Sequence, residues 1–341
     1  MLDPRLIELK TSSVAGALYG NSSNNKFAAA SAAPIFLNVV LILSILIAYY
    51  FELNIAEKLS YGVTLAGVLQ LFFLIYVTSK FYKPKLKLKF KITSKIKFFF
   101  KKLLPSIFSS GVTQINILIG TIIASFEAGA VSYLYYADRI YQINLAIAGI
   151  AVGTVALPEL AKTLKLRKID EANKVQNKSI ELCLLLSIPA CFGLIIASEE
   201  ITNALFGYGS FSKADVKLTA KALEYFGYGV PGFALIKVLS NFFFARDNTK
   251  LPFYISLLSV ILNISISLIF FKSFGFLIIP LATSIATWVA VIAYLIFLSK
   301  NNYFLFRTPL LVNLLKITIS ALIMVLFLYF SLNFFEDNLI Y

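Results

Sequence analysis

The sequence predicts an all-α, polytopic membrane protein of about nine transmembrane helices. Three observations carry that expectation. Of 341 residues, 59% are hydrophobic and only 14% charged, with a mean hydropathy of +0.83. A soluble domain carries about 25% charged residues, so this chain has too few charges to coat a water-facing surface. Its apolar runs are continuous and about twenty residues long, the length of a helix crossing a ~30 Å hydrocarbon core. Barrel strands would instead alternate polar and apolar positions over roughly ten residues. In lipid the backbone must satisfy its own hydrogen bonds, which leaves helices.

The expected spans are Pro34–Phe51, Tyr61–Phe81, Leu104–Phe126, Val131–Leu157, Ser179–Ala197, Glu224–Phe244, Pro252–Phe271, Phe276–Leu298 and Leu310–Phe335. Ahead of them, Thr11–Gly20 is weakly apolar and Asn21–Asn25 reads as a polar turn. No basic flank precedes an apolar core there, so a signal peptide is not expected.

Loop charge tests this arrangement. If the N-terminus is cytoplasmic, that side holds Arg5, Lys10, Lys26, ten lysines from Lys80 to Lys102, six basic residues from Lys162 to Lys178, Arg246, Lys250, Lys300 and Arg307. The opposite side holds Lys58, Lys213, Lys217, Lys221 and Lys272. An asymmetry of 23 to five follows the positive-inside rule and supports nine spans, since one miscounted helix would scramble it. Three basic residues remain at membrane depth: Arg139, Lys237 and Lys316.

The net charge of +14 would point to nucleic acid on a soluble protein. Here it is read as orientation and contact with anionic lipid, with no nucleic acid as partner. The run Lys80–Lys102 alternates lysine with Leu, Phe or Ile and is expected to rest on anionic headgroups as a cytoplasmic connector. The absence of histidine excludes Ser-His-Asp and zinc-hydrolase chemistry. Cys183 and Cys191 sit eight residues apart in one apolar run and read as small apolar residues, not a redox pair or metal site. No metal, cofactor or enzymatic activity is expected.

A charge inside a span is costly and usually functional. The densest such feature is YLYYADRIYQIN (Tyr133–Asn144), with Asp138 and Arg139 about two turns into the fourth span. Tyr135 and Gln142 fall on the helix face of Arg139. A guanidinium suits phosphate because it donates paired, charge-assisted hydrogen bonds. The bland alternative is an Asp138–Arg139 ion pair locking two helices, although neighbours on a helix point about 100° apart. In GVTQINILIGTIIAS (Gly111–Ser125), Gln114 and Asn116 are polar at membrane depth, as cavity liners or as helix-packing groups. Lys237, mid-span in GFALIKVLSNFFFAR, is a second candidate cation, and Lys316 is expected to snorkel to the cytoplasmic interface. Pro158, Pro189, Pro231, Pro252 and Pro280 fall at or within span ends, where they remove helix hydrogen bonds. Broken helices of that kind accompany rocking in transporters.

These stretches together resemble the lipid II flippase family MurJ (MviN), of the multidrug/oligosaccharidyl-lipid/polysaccharide exporter superfamily. The resemblance rests on KFAAASAAPIFLNVV (Lys26–Val40), GVLQL (Gly67–Leu71), LPSIFSSGVTQIN (Leu104–Asn116), Ile123–Leu160 with its YYADR and GTVALPEL, LFGYGSF (Leu205–Phe211) and Lys237–Pro252. It implies two six-helix bundles around a cationic cavity, two further helices lining a lipid-tail groove, and alternating access that carries lipid-linked peptidoglycan precursor (lipid II) across the bacterial inner membrane. By that likeness residues 1–33 are the remnant of an N-terminal bundle helix and loop, and 34–81 are that bundle's last two helices. Residues 82–103 are a basic cytoplasmic linker, 104–298 the C-terminal six-helix bundle, and 299–341 a cytoplasmic loop, a groove-lining helix and a short tail.

The resemblance further implies that Arg139 contacts the pyrophosphate or sugar headgroup. Asp138 and Gln142 would shape the site, and Lys237 would be a second positive group in the C-terminal bundle; Tyr135, Gln114 and Asn116 stay candidates on their own positions. Partners are then lipid II, anionic membrane lipids and other cell-wall synthesis proteins. Family members have about fourteen spans, so the chain is expected to begin near the fourth and stop after the thirteenth, without the first two spans that supply other cavity arginines. Gly120 stands where an acidic or amide residue often follows QIN, so a family-type sodium site is not expected. Two alternatives stay open: an exporter of another polyprenyl-linked glycan, and a non-transporting remnant.

Overall fold

The computed structural model describes residues 27–79 and 114–334, and they form two compact units divided between Thr93 and Ser94. Among the described residues every regular element is helical. The N-terminal segment through Asn25, the Lys80–Lys102 connector, the first part of the third expected span and the C-terminal tail lie outside them.

The first unit is a hairpin of α1 (Phe27–Tyr50) and α2 (Ile55–Ser79). Glu52 turns the chain with φ 53°. The helices touch where Phe36 meets Phe73, with ring centroids 4.8 Å apart, and where Gly62 lies against Ser44. A Cβ on Gly62 would come within 2.4 Å of the Ser44 Oγ, so this crossing requires glycine. Most other apolar side chains of the pair are exposed, from Ile35 to Tyr76. In water that pattern would be untenable; in lipid it is the expected outer surface.

The second unit starts with α3 (Gln114–Ala124) and a turn closed by Gly129 at φ 79°. Next come α4 (Ala130–Leu145), a π-helical turn (Ala146–Ala151) and α5 (Val152–Lys165), which together read as one span. Then follow α6 (Ile169–Ile196), α7 (Ser198–Phe206), α8 (Lys213–Gly227), α9 (Val230–Phe244) and α10 (Lys250–Phe274). A short 3-10 turn (Gly275–Leu277) leads into α11 (Ile278–Lys300), and α12 (Thr308–Phe334) ends the described chain. Five stretches are long and apolar enough to cross a membrane by length and composition. Three shorter apolar helices join them, and the longest stretch, Lys250–Lys300, bends back at Gly275 (φ 60°) as two helices. Each of the nine expected spans thus falls on helix among the described residues, the fourth and sixth on more than one element: the chain is an all-α, polytopic membrane protein.

Several helices run past their apolar cores. The fifth expected span begins at Ser179, yet α6 begins at Ile169, because Asn173, Gln176 and Asn177 are buried as part of its packed face. The sixth, Glu224–Phe244, breaks at Tyr228–Gly229 between α8 and α9. Three of the five prolines (Pro231, Pro252, Pro280) occupy first turns, where a missing N–H costs nothing. Of these five, Pro158 and Pro189 interrupt helix interiors, so the expected loss of hydrogen bonds at all five is corrected to two.

Lipid offers no hydrophobic drive between spans, so packing and polar contacts hold them together. One core gathers Leu160, Phe242, Phe243, Tyr294, Leu298 and Leu310; the other gathers Ile123, Ile140, Phe226 and Ile278. Polar clasps close both ends. At one end the Glu127 carboxylate accepts from the Phe276 N–H at 3.1 Å, and Tyr133 donates to Asp215 at 2.7 Å. Asp215 closes a capping box with Ser212 at the start of α8. Three hydrogen bonds, from Ser212 and Tyr133, hold its carboxyl below the usual carboxylate range. At the other end Asn177 donates to the Leu305 carbonyl at 2.9 Å and accepts from the Arg307 N–H at 3.1 Å. There Arg246 stacks 4.5 Å over Tyr303 and donates to that residue's carbonyl at 2.9 Å.

Candidate functional site

The charged stretch of α4 owes its position to an amphipathic helix. Ala130, Ala137 and Ile140 face the bundle, which turns Ser132, Tyr135, Arg139 and Ile143 outward. Arg139 donates to the Tyr135 hydroxyl at 2.9 Å, and its guanidinium lies 4.7 Å from that ring's centroid. The four-residue spacing therefore works as expected. Gln142 does not join them: its amide donates to the Asp138 carboxylate, one turn back on a neighbouring face. The four residues form two pairs, not the single Tyr135–Arg139–Gln142 face that spacing suggested.

The Asp138–Arg139 ion pair is not among the contacts of the described residues. Arg139 is left with one neutral hydroxyl partner and an exposed fork, holding unspent hydrogen-bond donors for an anion. Beneath this site Tyr136 packs against Phe206 at 4.7 Å and Phe211 at 5.4 Å, from the LFGYGSF stretch. Those aromatic contacts anchor the Arg139-bearing end of α4 to the loop that joins α7 and α8.

The other expected site residues lie elsewhere. Gln114 is exposed at the start of α3. Asn116, half-buried on the same helix, accepts from the Asn263 amide at 3.0 Å. That amide also donates to the Thr283 hydroxyl at 3.1 Å, and Ser267 donates to its oxygen at 3.2 Å. Asn116, Asn263 and Thr283, with Ser256, Ser259, Thr287 and Tyr294, line a cavity of about 150 Å³ within the C-terminal unit. The sequence reading missed Asn263, Ser267 and Thr283. The available signal was the pair Asn263/Ser267, four residues apart in an otherwise apolar run.

Both Asn263 N–H groups are used inside the cluster, so its oxygens are turned toward an amide. Gly120 offers no side-chain oxygen, and a Cβ at that position would meet the Ile279 side chain at 3.7 Å. These residues do not fit a carboxylate-held cation, and they tie α3, α10 and α11 together.

Lys237 was read as a buried cation that could share the Arg139 cavity. It is instead exposed on α9. Its carbonyl lies against Gly153 of α5, fourteen residues beyond Arg139, or about 20 Å along the span at 1.5 Å per residue. The structure does not bring the two cations together. Lys316 is exposed on α12.

A helical unit with an exposed arginine fork on an apolar span and neutral polar interiors has the make-up of a polytopic, transporter-type membrane protein. Over residues 6–341 the chain matches the sequence model of the family described as lipid II flippase MurJ, and it belongs to that family. It is 37% identical over 307 residues to the probable lipid II flippase MurJ of Rhizobium tropici, covering 89% of this chain and 57% of the relative. It is 38% identical over 291 residues to the Rickettsia prowazekii (strain Madrid E) counterpart, covering 84% and 56%. A solved structure titled lipid II flippase MurJ, inward closed conformation, superimposes with a TM-score of 0.79 at 26% identity, over 93% of this chain and 64% of that one. A MATE structure in a bent conformation shares the fold alone, with a TM-score of 0.60 at 12% identity. The chain therefore spans less than two thirds of the length of the curated relatives it matches.

Proposed function

We propose that this chain works as part of a flippase that carries lipid II outward across the bacterial inner membrane by alternating access, for cell-wall synthesis. The observation that carries this reading is Arg139: a guanidinium with no ion-pair partner among the described residues, on an exposed span face, in a chain of this family. A cation held by a neutral hydroxyl favours a pyrophosphate over the cationic compounds that a buried carboxylate would attract. Tyr135 orients the guanidinium, and the Gln142 amide holds the Asp138 carboxylate on a neighbouring face, out of a direct ion pair with Arg139.

Lys237 supplies a second positive station about 20 Å along the same unit, met at another stage of the passage. Gln114, near the start of α3, lines the path. Asn116 acts through the Asn263 cluster, holding α3 in place. The loop-charge asymmetry supports a cytoplasmic N-terminus, with anionic lipids and other cell-wall synthesis proteins as further partners.

The test is complementation in cells depleted of their own lipid II flippase. The full-length gene that encodes this sequence should restore growth, and its Arg139→Ala form should not. A well-expressed, correctly inserted protein that fails to rescue would overturn the reading. Direct binding to other polyprenyl-linked glycans in preference to lipid II would redirect it to a related export role.

A further inference from the structure

We propose that the groove between α6 and α12 is a binding site for an anionic phospholipid, held by Lys316. The groove has a volume of about 290 Å³ and is lined by Leu185 and Pro189 of α6 and by Lys316, Ile317, Ser320, Ala321 and Met324 of α12. Ser320 and Ala321 are too small to fill the space opposite Pro189, which leaves an apolar slot. Met324 lies eight residues from Lys316, so the slot runs about 12 Å along the helix, ending in a single cation at one end.

Depth decides what that cation meets. With 27 residues, α12 is about 40 Å long, against a hydrocarbon core of about 30 Å. Lys316 stands eight residues after Thr308, about 12 Å along the axis. If the overhang is shared between the two ends, its Cα lies about 7 Å inside the hydrocarbon. A lysine stem spans that depth and brings the ammonium to the phosphate plane.

Among the described residues Lys316 has no ion-pair partner. The nearest acid on the groove face of α6 is Glu181, one turn before Leu185. It is engaged by Lys178 at 2.9 Å, so its charge is already matched. No acid lines the groove among the described residues, so the anion at that plane is assigned to the bilayer. Asn177 of α6 accepts from the Arg307 N–H at 3.1 Å just before α12, and farther along both helices Leu185 and Pro189 share the groove with Lys316 to Met324, so α6 and α12 run in the same direction from the Lys316 end. The groove thus offers charge at the interface and an apolar slot pointing toward the bilayer centre, in the order a phospholipid presents them. By the orientation proposed above, this is the cytoplasmic leaflet; the site itself does not depend on that orientation or on transport.

The experiment is local quenching with the purified chain in detergent. A Leu185→Trp reporter is placed in a Trp288→Phe background, because Trp288 is the chain's native tryptophan. Phosphatidylglycerol and phosphatidylcholine, each carrying a brominated acyl chain, serve as probes. Phosphatidylglycerol should quench at a concentration about fivefold lower, the ratio set by about 1 kcal/mol per lysine near an anionic surface. Lys316→Gln should erase the preference, Lys316→Arg should keep it, and Ser320→Phe should block quenching by both lipids. Equal quenching by the two lipids, or a preference that survives Lys316→Gln, would overturn the site. Displacement of the brominated phosphatidylglycerol by an equimolar polyprenyl pyrophosphate would overturn the phospholipid as occupant. None of these readouts requires lipid flipping, so failure here is separate from failure of the transport reading.

Discussion

The Arg139 face of α4 and the Asn263 cluster between α3, α10 and α11 are both polar groups inside apolar spans, and they are handled in opposite ways. Asn263 spends both of its N–H donors within the protein and receives Ser267 in return. Arg139 spends one contact on Tyr135 and leaves its fork exposed. Neutral groups can be closed off in pairs and become glue. A charge closed off the same way would need a buried counter-ion, at a desolvation cost that often exceeds the gain. On the proposed function, the difference separates polar residues that hold this protein together from the one that would meet its cargo.

The largest expected effect comes from emptying the open site. Arg139→Ala should abolish rescue in the depletion assay while expression and melting temperature stay near those of the parent; a large drop in stability would mean Arg139 is structural. Next is the closed cluster. Asn263→Ala strands Asn116 and Thr283 and should cost about 1 kcal/mol of stability, the scale of interhelical hydrogen bonds in membranes, read by unfolding in mixed micelles. Equal losses of rescue from the two variants would erase the distinction between them.

A smaller effect follows from Tyr135→Phe, which keeps the ring under the guanidinium and removes the hydroxyl. About 1 kcal/mol, a severalfold loss of lipid II affinity at unchanged stability, is expected by direct binding. The smallest effect concerns Asp215. Its carboxyl is held low by Ser212 and Tyr133, so its contribution is full above the ordinary carboxylate range and disappears as pH falls through the depressed folded value. Amide exchange in the first turn of α8 should be steady from neutral to mildly acid pH and accelerate only in stronger acid. Ser212→Ala should flatten that dependence.

Length and hydropathy made the spans legible because lipid imposes a minimum apolar run. They could not reveal the polar start of α6, where Asn173, Gln176 and Asn177 pack against protein; and apolar length alone passes over the breaker Gly227–Gly232, three glycines and Pro231, where α8 ends and α9 begins. Arg139 and Tyr135 were readable because helical spacing within one element fixes their approach. Asn263 was not, since its partners come from two other helices and a lone amide has no period. Lys237 misled for the same reason: a charge in a span shows its depth in the sequence, but not the side of the helix left without a neighbour.

The π turn at Ala146–Ala151 has a consequence for anyone counting along this span. A π turn carries one residue more than the α-helical turn it replaces, so the angular bookkeeping that relates Arg139 to Gly153 is offset by about 100° across it. Gly149, within the turn, sits against the α9 backbone at Ala234, and the Asn241 amide grips the Gly153 carbonyl at 2.9 Å just below. The lower half of the span is keyed to α9, and the upper half is keyed to α8 through Tyr133. Deleting a single residue between 146 and 151 would leave both keys in their locks only if the extra residue were dispensable. Otherwise it would swing the arginine a quarter-turn away from its opening, without changing any side chain that touches it.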